Sequence, residues 1–132
     1  MKTILLVEDD PIIVQVYRGA LQRRGFQVEV AEDGLAGMKN ILQLRPDLVV
    51  LDVMMPKMDG TYVLKFIHDR PELKDTKVIV LSNASLADAG SPILALNPDG
   101  VFLKSQCTPA RLTGKINELL GLSEPAVPAQ PQ

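Results

Sequence analysis

The chain has 132 residues, of which 46% are hydrophobic and 23% charged, with a formal net charge of −2. This size and composition predict one soluble globular domain. Without a basic cluster, the charge disfavours binding to nucleic acid or to an anionic membrane. No apolar run reaches the ~18–20 residues that span a bilayer. The single cysteine, Cys107, excludes an intrachain disulfide. Because the amino terminus also lacks a signal-peptide pattern, we expect a cytoplasmic protein.

Five short apolar segments predict strands. Segments 3–7, 48–52 and 77–81 each contain a continuous run of four apolar residues, which is typical of parallel strands buried on both faces. Segment 26–31 alternates apolar and polar residues, which predicts a strand near an edge. Segment 100–103 completes the set.

Helices are predicted between these strands. The first spans 11–24, with Pro11 in its first turn and Gly25 at its end. The second spans 35–44 and the third 61–70. Their predicted apolar stripes comprise Ile12, Ile13, Val16, Tyr17, Ala20 and Leu21; Leu35, Met38, Ile41 and Leu42; and Val63, Leu64, Phe66 and Ile67.

The last two helices follow proline signals. A Gly-Ser-Pro interruption leaves room only for a short fourth helix from about Pro92, with Ser91 as its N-cap. Thr108 and Pro109 open the fifth helix. Its apolar face comprises Leu112, Ile116, Leu119 and Leu120.

Strands that alternate with helices predict an α/β fold. We expect a doubly wound, right-handed, five-stranded parallel sheet with five helices, in the flavodoxin-like order 2-1-3-4-5. The domain is predicted over residues 1–120. Residues 121–132 are rich in proline and predict a flexible tail or the start of a linker.

Polar residues follow the strands where an open α/β sheet binds its ligands. Glu8 and Asp9 follow the first strand and Asp52 ends the third. Converging carboxylates either raise a pKa or hold a hard cation, and without a nearby cysteine or histidine they favour Mg²⁺ or Mn²⁺ over Zn²⁺. Alternatively, the acidic run at 8–10 simply caps the following helix.

Ser82 and Lys104 follow the fourth and fifth strands. A carboxylate, a divalent cation, a hydroxyl and an ammonium are the groups needed to receive a phosphoryl group. Each has an ordinary alternative, since Ser82 could cap the next segment and Lys104 could be a solvated surface lysine. Their occurrence at four successive strand ends favours phosphoryl transfer.

Four motifs carry a resemblance to a known family: Val-Glu-Asp-Asp-Pro at 7–11, Leu-Asp-Val-Met-Met-Pro-Lys-Met-Asp-Gly at 51–60, Leu-Ser at 81–82 and Gly-Val-Phe-Leu-Lys at 100–104. From about Lys2 to Leu120 the sequence resembles a response-regulator receiver domain of two-component and phosphorelay signalling. The resemblance implies a phosphoprotein switch that catalyses only its own phosphorylation and dephosphorylation, rather than a turnover enzyme.

The resemblance also implies roles for individual residues. Asp52 would be the phosphoacceptor, carrying an aspartyl phosphate, and Ser82 and Lys104 would contact the phosphoryl group. Glu8, Asp9, Asp52 and the backbone carbonyl of Met54 would bind Mg²⁺, with Mn²⁺ as a substitute.

Partners are implied in the same way. The phosphodonor would be a sensor histidine kinase or a phosphotransfer protein. The output face, built from the fourth helix, fifth strand and fifth helix, would act on an unidentified protein target.

Departures from the family pattern predict differences in switching. Val101 stands where the family usually has an aromatic residue, and Phe102 should face the other side of the strand. Ser105 replaces a common cis-proline, so a trans peptide is expected there. Asn83 replaces a small residue, which could crowd Asp52. Met54 and Ala84 cannot position an attacking water, which predicts a long-lived phosphoryl group.

Three rival functions are disfavoured. A phosphatase would need a carboxylate two residues after the nucleophile, where Met54 stands. A pseudo-receiver that acts only as an interaction module would lack the acidic pair or the lysine. A flavin-binding domain of this topology would need a Ser/Thr/Gly-rich loop after the first strand.

Overall fold

The computed structural model of the chain describes residues 2–53, 60–82 and 92–122. Its strands are β1 (Thr3–Val7), β2 (Gln27–Ala31), β3 (Leu48–Asp52), β4 (Lys77–Ser82) and β5 (Gly100–Leu103). Its α-helices are α1 (Pro11–Arg23), α2 (Gly34–Leu44), α3 (Gly60–His68), α4 (Pro92–Ala95) and α5 (Pro109–Leu120). Short 3₁₀ turns cover Pro71–Leu73 and Lys104–Gln106.

The strands form one parallel sheet in the order β2-β1-β3-β4-β5. This confirms the predicted flavodoxin-like arrangement and places β2 at one edge and β5 at the other. The sequence-based boundaries are correct to within one or two residues for these strands and for α1, α2 and α3. Among the described helices, none has both the length and the apolar character needed to cross a membrane.

Two apolar layers cover the sheet, as the predicted double winding requires. Alternate residues of each central strand point to opposite layers, so Leu5 and Val49 pack on one side, whereas Ile4 and Leu48 pack on the other. The first layer contains buried residues of α2, α3 and α4, and the second contains those of α1 and α5.

Local signals explain where the helices begin and end. The carboxylate of Asp10 accepts from the amide of Ile12 at 2.9 Å and caps α1. Asp33 caps α2 in the same way, and Thr108 caps α5 as predicted. Gly121 ends α5 with a left-handed φ of +69°, a conformation that glycine adopts without strain.

The predicted apolar stripes of α1 and α2 are partly wrong. Ile12 is 71% exposed and Leu35 63% exposed, and Val16 and Leu42 are exposed as well. Helix α1 instead buries Tyr17, Ala20 and Leu21. Helix α2 buries Gly34, Gly37 and Ile41, and a Cβ at Gly37 would lie 3.1 Å from the side chain of Val7. Small residues thus let α2 lie close to the sheet, which an apolar stripe alone does not reveal.

The later helices agree better with their predictions. In α5, Leu112 and Ile116 are fully buried, and Leu119 and Leu120 are partly buried against the same layer. The described part of α4 is short and begins at Pro92, as predicted, whereas Ser91 lies outside the described residues. The predicted tail at 121–132 falls almost entirely outside them too.

Candidate functional site

The predicted polar residues meet at the carboxyl edge of the sheet. Glu8 directly follows β1, Asp52 and Ser82 end β3 and β4, and Lys104 directly follows β5. Strand register aligns these ends, because Asp52 lies opposite Leu81 and Ser82 opposite Leu103. The sheet therefore brings together residues that are up to 96 positions apart in sequence.

Three carboxylates form the acidic part of this site. One ligand oxygen from each of Glu8, Asp9 and Asp52 lies within 4.8 Å of the others. Glu8 and Asp52 are fully buried, whereas Asp9 is exposed. The backbone amide of Glu8 still bonds to the carbonyl of Ala31 at 3.0 Å, so the sheet itself fixes the first acid.

Lys104 provides the opposing positive charge. Its Nζ lies 2.9 Å from Oδ2 of Asp52 and 3.3 Å from each carboxylate oxygen of Glu8, and its side chain is only 19% exposed. Burial alone would lower the pKa of Lys104. The hydrogen bond to Asp52 and the charges of Asp52 and Glu8 outweigh that effect and raise the pKa above its ordinary value. Lys104 is thus an ammonium held inside the site rather than a solvated lysine.

Glu8 has a strongly perturbed environment. Burial raises the pKa of Glu8 to about 7, the amide of Asp10 opposes this rise, and the charge of Asp52 adds to it. Oε2 of Glu8 accepts from that amide at 3.1 Å, whereas the buried Oε1, although 3.3 Å from Nζ of Lys104, accepts no hydrogen bond from the described residues. An oxygen in this state, beside two more carboxylates, fits a hard divalent cation as a further partner.

The two interpretations of the acidic run apply to different residues. Asp10 caps α1, as the structural alternative proposed, whereas Glu8 and Asp9 take part in the acidic cluster. Because all three acids precede α1 in the sequence, only the folded structure shows which one caps the helix and which two join the acidic cluster.

Several predicted features lie outside the described residues. These are the Met54 carbonyl, Asn83 and Ala84. Ser82 is described and is buried at the end of β4. Among the described residues there is no cis peptide bond, which agrees with the serine at position 105.

The departure at Val101 has the predicted geometry. Val101 is exposed, and Phe102 packs into the layer formed by α1 and α5. The aromatic ring of β5 therefore faces the opposite side of the sheet from the side chain at position 101.

A groove of about 700 Å³ borders the acidic cluster and is lined by Glu8 and Asp9, but not by Asp52 or Lys104. It runs from Glu8 and Asp9 along α1, past Val14 and Arg18, to Val30 of β2. Because Asp9 is exposed at one end, the site opens to solvent on this side.

Sequence reasoning missed a role for Tyr17. Its hydroxyl donates to the carbonyl oxygen of Cys107 at 2.7 Å in a buried contact. The sequence placed Tyr17 only in an apolar stripe. A signal was present, because a tyrosine on a buried helix face needs a hydrogen-bond partner for its hydroxyl, but the sequence does not identify that partner.

Comparison with known proteins identifies one family and related regulators. A sequence model of the response regulator receiver domain family matches residues 4–117. The DNA-binding dual master transcriptional regulator RpaA of Synechocystis is 37% identical over 82 residues, which cover 62% of this chain and 34% of RpaA. The aligned part of this chain thus spans about a third of the length of that relative.

Solved structures share the fold over most of the chain. A CheY-like receiver domain protein from Methanospirillum hungatei has a TM-score of 0.82 and 28% identity, covering 92% of this chain and 94% of that one. The response regulator TrrA of Thermotoga maritima, solved in complex with Mg²⁺-BeF, has a TM-score of 0.78 and 32% identity, covering 90% of this chain and 99% of that one.

Proposed function

Because the chain belongs to the family of response regulator receiver domains, we propose that Asp52 accepts a phosphoryl group and that Glu8, Asp9, Ser82 and Lys104 assist this transfer. The observation that carries the proposal is the buried Asp52 carboxylate, 2.9 Å from the Lys104 ammonium and inside a cluster of three acids. A carboxylate held in this way is a nucleophile beside a fixed positive charge.

The transfer forms one bond and breaks one. A carboxylate oxygen of Asp52 attacks the phosphorus of a phosphohistidine, and an O–P bond forms as the P–N bond breaks. The electron pair of the broken bond stays on the imidazole nitrogen of the donor. The domain catalyses only its own phosphorylation and dephosphorylation, and in this sense it is a switch rather than a turnover enzyme.

The acidic cluster supports a bound Mg²⁺, for which Mn²⁺ could substitute. Glu8, Asp9 and Asp52 would hold the ion, together with the predicted Met54 carbonyl. The ion would supply positive charge against the phosphoryl oxygens. The buried Oε1 of Glu8, which accepts no hydrogen bond from the described residues, and the all-oxygen donor set support this assignment.

Lys104 and Ser82 are proposed to act on the phosphoryl group from the β4–β5 side. The ammonium of Lys104 donates a hydrogen bond to the Asp52 carboxylate at 2.9 Å, so it could bind an oxygen of the new phosphoryl group without a large movement. The buried hydroxyl of Ser82, on the strand next to Asp52, would donate a hydrogen bond to another oxygen. New charge at Asp52 would then bias the structure of the output face.

The partners follow from the same proposal. The domain would be cytoplasmic, and its donor would be a sensor histidine kinase or a phosphotransfer protein. Helix α4, strand β5 and helix α5 would present the output to a protein target. Residues 1–120 would form the receiver unit, and 121–132 a tail or linker. Although RpaA is a DNA-binding regulator, this domain itself would bind neither nucleic acid nor membrane.

Intact-mass spectrometry after incubation with acetyl phosphate tests the proposal directly. We expect the mass of one phosphoryl group to be added with Mg²⁺ present, and to be absent after chelation or in Asp52→Asn. Asp75→Asn is a matched control, because Asp75 is exposed and outside the acidic cluster.

Two results would contradict the proposal. One is phosphorylation that persists in Asp52→Asn. The other is a folded wild-type protein that stays unmodified by acetyl phosphate and by phosphohistidine donors, which would favour a phosphorylation-independent interaction module.

A further inference from the structure

Within the described residues, the loop that carries Lys104 makes few hydrogen bonds through its backbone to the rest of the domain. It joins the edge strand β5 to α5 and begins with the 3₁₀ turn Lys104–Gln106. The turn is closed by a long bond of 3.5 Å from the Cys107 amide to the Lys104 carbonyl. Ser105 and Gln106 are exposed. Serine also leaves φ free at position 105, where a proline would fix it.

Tyr17 supplies the buried attachment of this loop. Its ring lies in the layer between the sheet and the helices α1 and α5, and its hydroxyl donates to the Cys107 carbonyl at 2.7 Å. The side chain of Cys107 is buried in the same layer. Burial and this hydrogen bond raise the pKa of Tyr17 further above physiological pH.

This contact joins the two halves of the site. Tyr17 lies on α1, the helix that begins directly after Glu8, Asp9 and Asp10. Cys107 ends the loop that begins with Lys104. One hydrogen bond, between residues 90 positions apart, therefore links the acid-bearing segment to the lysine-bearing segment.

We propose that Tyr17 is a positioning residue that holds the 104–107 loop against α1 and so keeps the Lys104 ammonium on Asp52 and Glu8. Its effect on phosphoryl transfer rests on the function proposed above, but its effect on Lys104 does not. Within the described residues, one further side chain donates a hydrogen bond to the backbone of this loop, from Arg111 Nη1 to the Gln106 carbonyl at 3.1 Å, and that bond is exposed. Water competes with an exposed bond much more than with the buried one.

Tyr17→Phe tests the proposal, because it removes the hydroxyl and keeps the ring. Tyr62→Phe is the matched control, since Tyr62 is the other tyrosine of the chain and is exposed. Ile116→Val controls for lost stability, because it removes one methylene from the same apolar layer and leaves the hydrogen bond in place.

Two measurements are made on each variant. NMR relaxation at Cε of Lys104 reports on motion of the side-chain end on the picosecond to nanosecond timescale. The rate of phosphorylation by acetyl phosphate is measured over a range of Mg²⁺ concentrations. We expect Tyr17→Phe alone to increase the motion of Lys104. We also expect it to lower the maximal rate by about threefold to tenfold while the Mg²⁺ concentration at half-saturation stays unchanged.

The outcomes separate the two proposals. If Lys104 is as rigid in Tyr17→Phe as in the wild type, or if Ile116→Val mobilises it equally, then Tyr17 is not a positioning residue. If the wild type is never phosphorylated, the proposed function fails, and the relaxation of Lys104 alone decides whether Tyr17 positions it.

Discussion

Aspartates have different roles at the two ends of the parallel strands, which form the amino edge and the carboxyl edge of the sheet. At the amino edge, Asp47 precedes β3 and Asp99 precedes β5. The carboxylate of Asp47 accepts from the Thr3 amide at 2.8 Å, while its own amide donates to the Thr3 carbonyl at 2.9 Å. Asp99 forms the same reciprocal pair with Val78, at 2.8 and 2.9 Å. These two carboxylates complete the hydrogen bonding of neighbouring strands.

At the carboxyl edge, Asp52 instead faces two other acids and a lysine. Its neighbour Glu8 keeps a buried oxygen without a hydrogen-bond partner among the described residues. The comparison shows that residue type alone does not assign a role. An acid before a strand stabilises the sheet through main-chain amides, whereas acids after strands converge and leave capacity for a ligand.

The largest difference between the amino edge and the carboxyl edge should appear in the rate of phosphorylation, when one lysine at each edge is replaced. Lys104→Met removes the ammonium at the carboxyl edge, and we expect the rate of phosphorylation by acetyl phosphate to fall by about a hundredfold, as for loss of one preorganised charge-stabilising group. Lys2→Met is the matched control, since Nζ of Lys2 lies 4.0 Å from Asp47 in an exposed pair at the amino edge. Equal rates in the two variants would remove Lys104 from the mechanism.

Truncating an aspartate at the amino edge should lower the stability of the domain and leave the rate of phosphorylation unchanged. Asp47→Ala leaves the Thr3 amide without its partner in a partly buried position. We expect the free energy of unfolding to fall by about 1–2 kcal/mol, measured by urea denaturation. Asp75→Ala, at an exposed site, should change it by less than about 0.5 kcal/mol. A similar small change in Asp47→Ala would show that this carboxylate is dispensable for the sheet.

The strands and the location of the site were predictable from sequence because their signals are local. Apolar runs such as the four residues that precede Asp52 in β3 are typical of buried parallel strands, and parallel strands must bring their carboxyl ends to one edge. The convergence of Asp52 with Glu8 and Lys104 follows from strand order alone. The resemblance to receiver domains added the proposed roles of these residues.

What the sequence did not predict depends on contacts between distant segments. The exposure of Ile12 and Val16 follows from how α1 sits on the sheet, which an apolar stripe only approximates. Asp10 caps α1 and Asp9 joins the acidic cluster, and this difference depends on where the helix starts relative to Asp52. The bond from Tyr17 to Cys107 spans 90 residues and leaves no local pattern.

Binding of Mg²⁺ should produce the smallest effect, a small increase in the free energy of unfolding that depends on the acids of the carboxyl edge. A ligand that binds only the folded state at a concentration equal to its dissociation constant adds about 0.4 kcal/mol to the free energy of unfolding. We expect Mg²⁺ to stabilise the wild type and Asp47→Asn in this way, but not Asp9→Asn. Because Asp9 is exposed, removing its charge should leave the Mg²⁺-free stability within about 0.5 kcal/mol of the wild type. Thermal unfolding with and without chelator measures both quantities. Equal stabilisation of Asp9→Asn would place the cation away from the acidic cluster, and the two edges would then differ in hydrogen bonding but not in ligand binding.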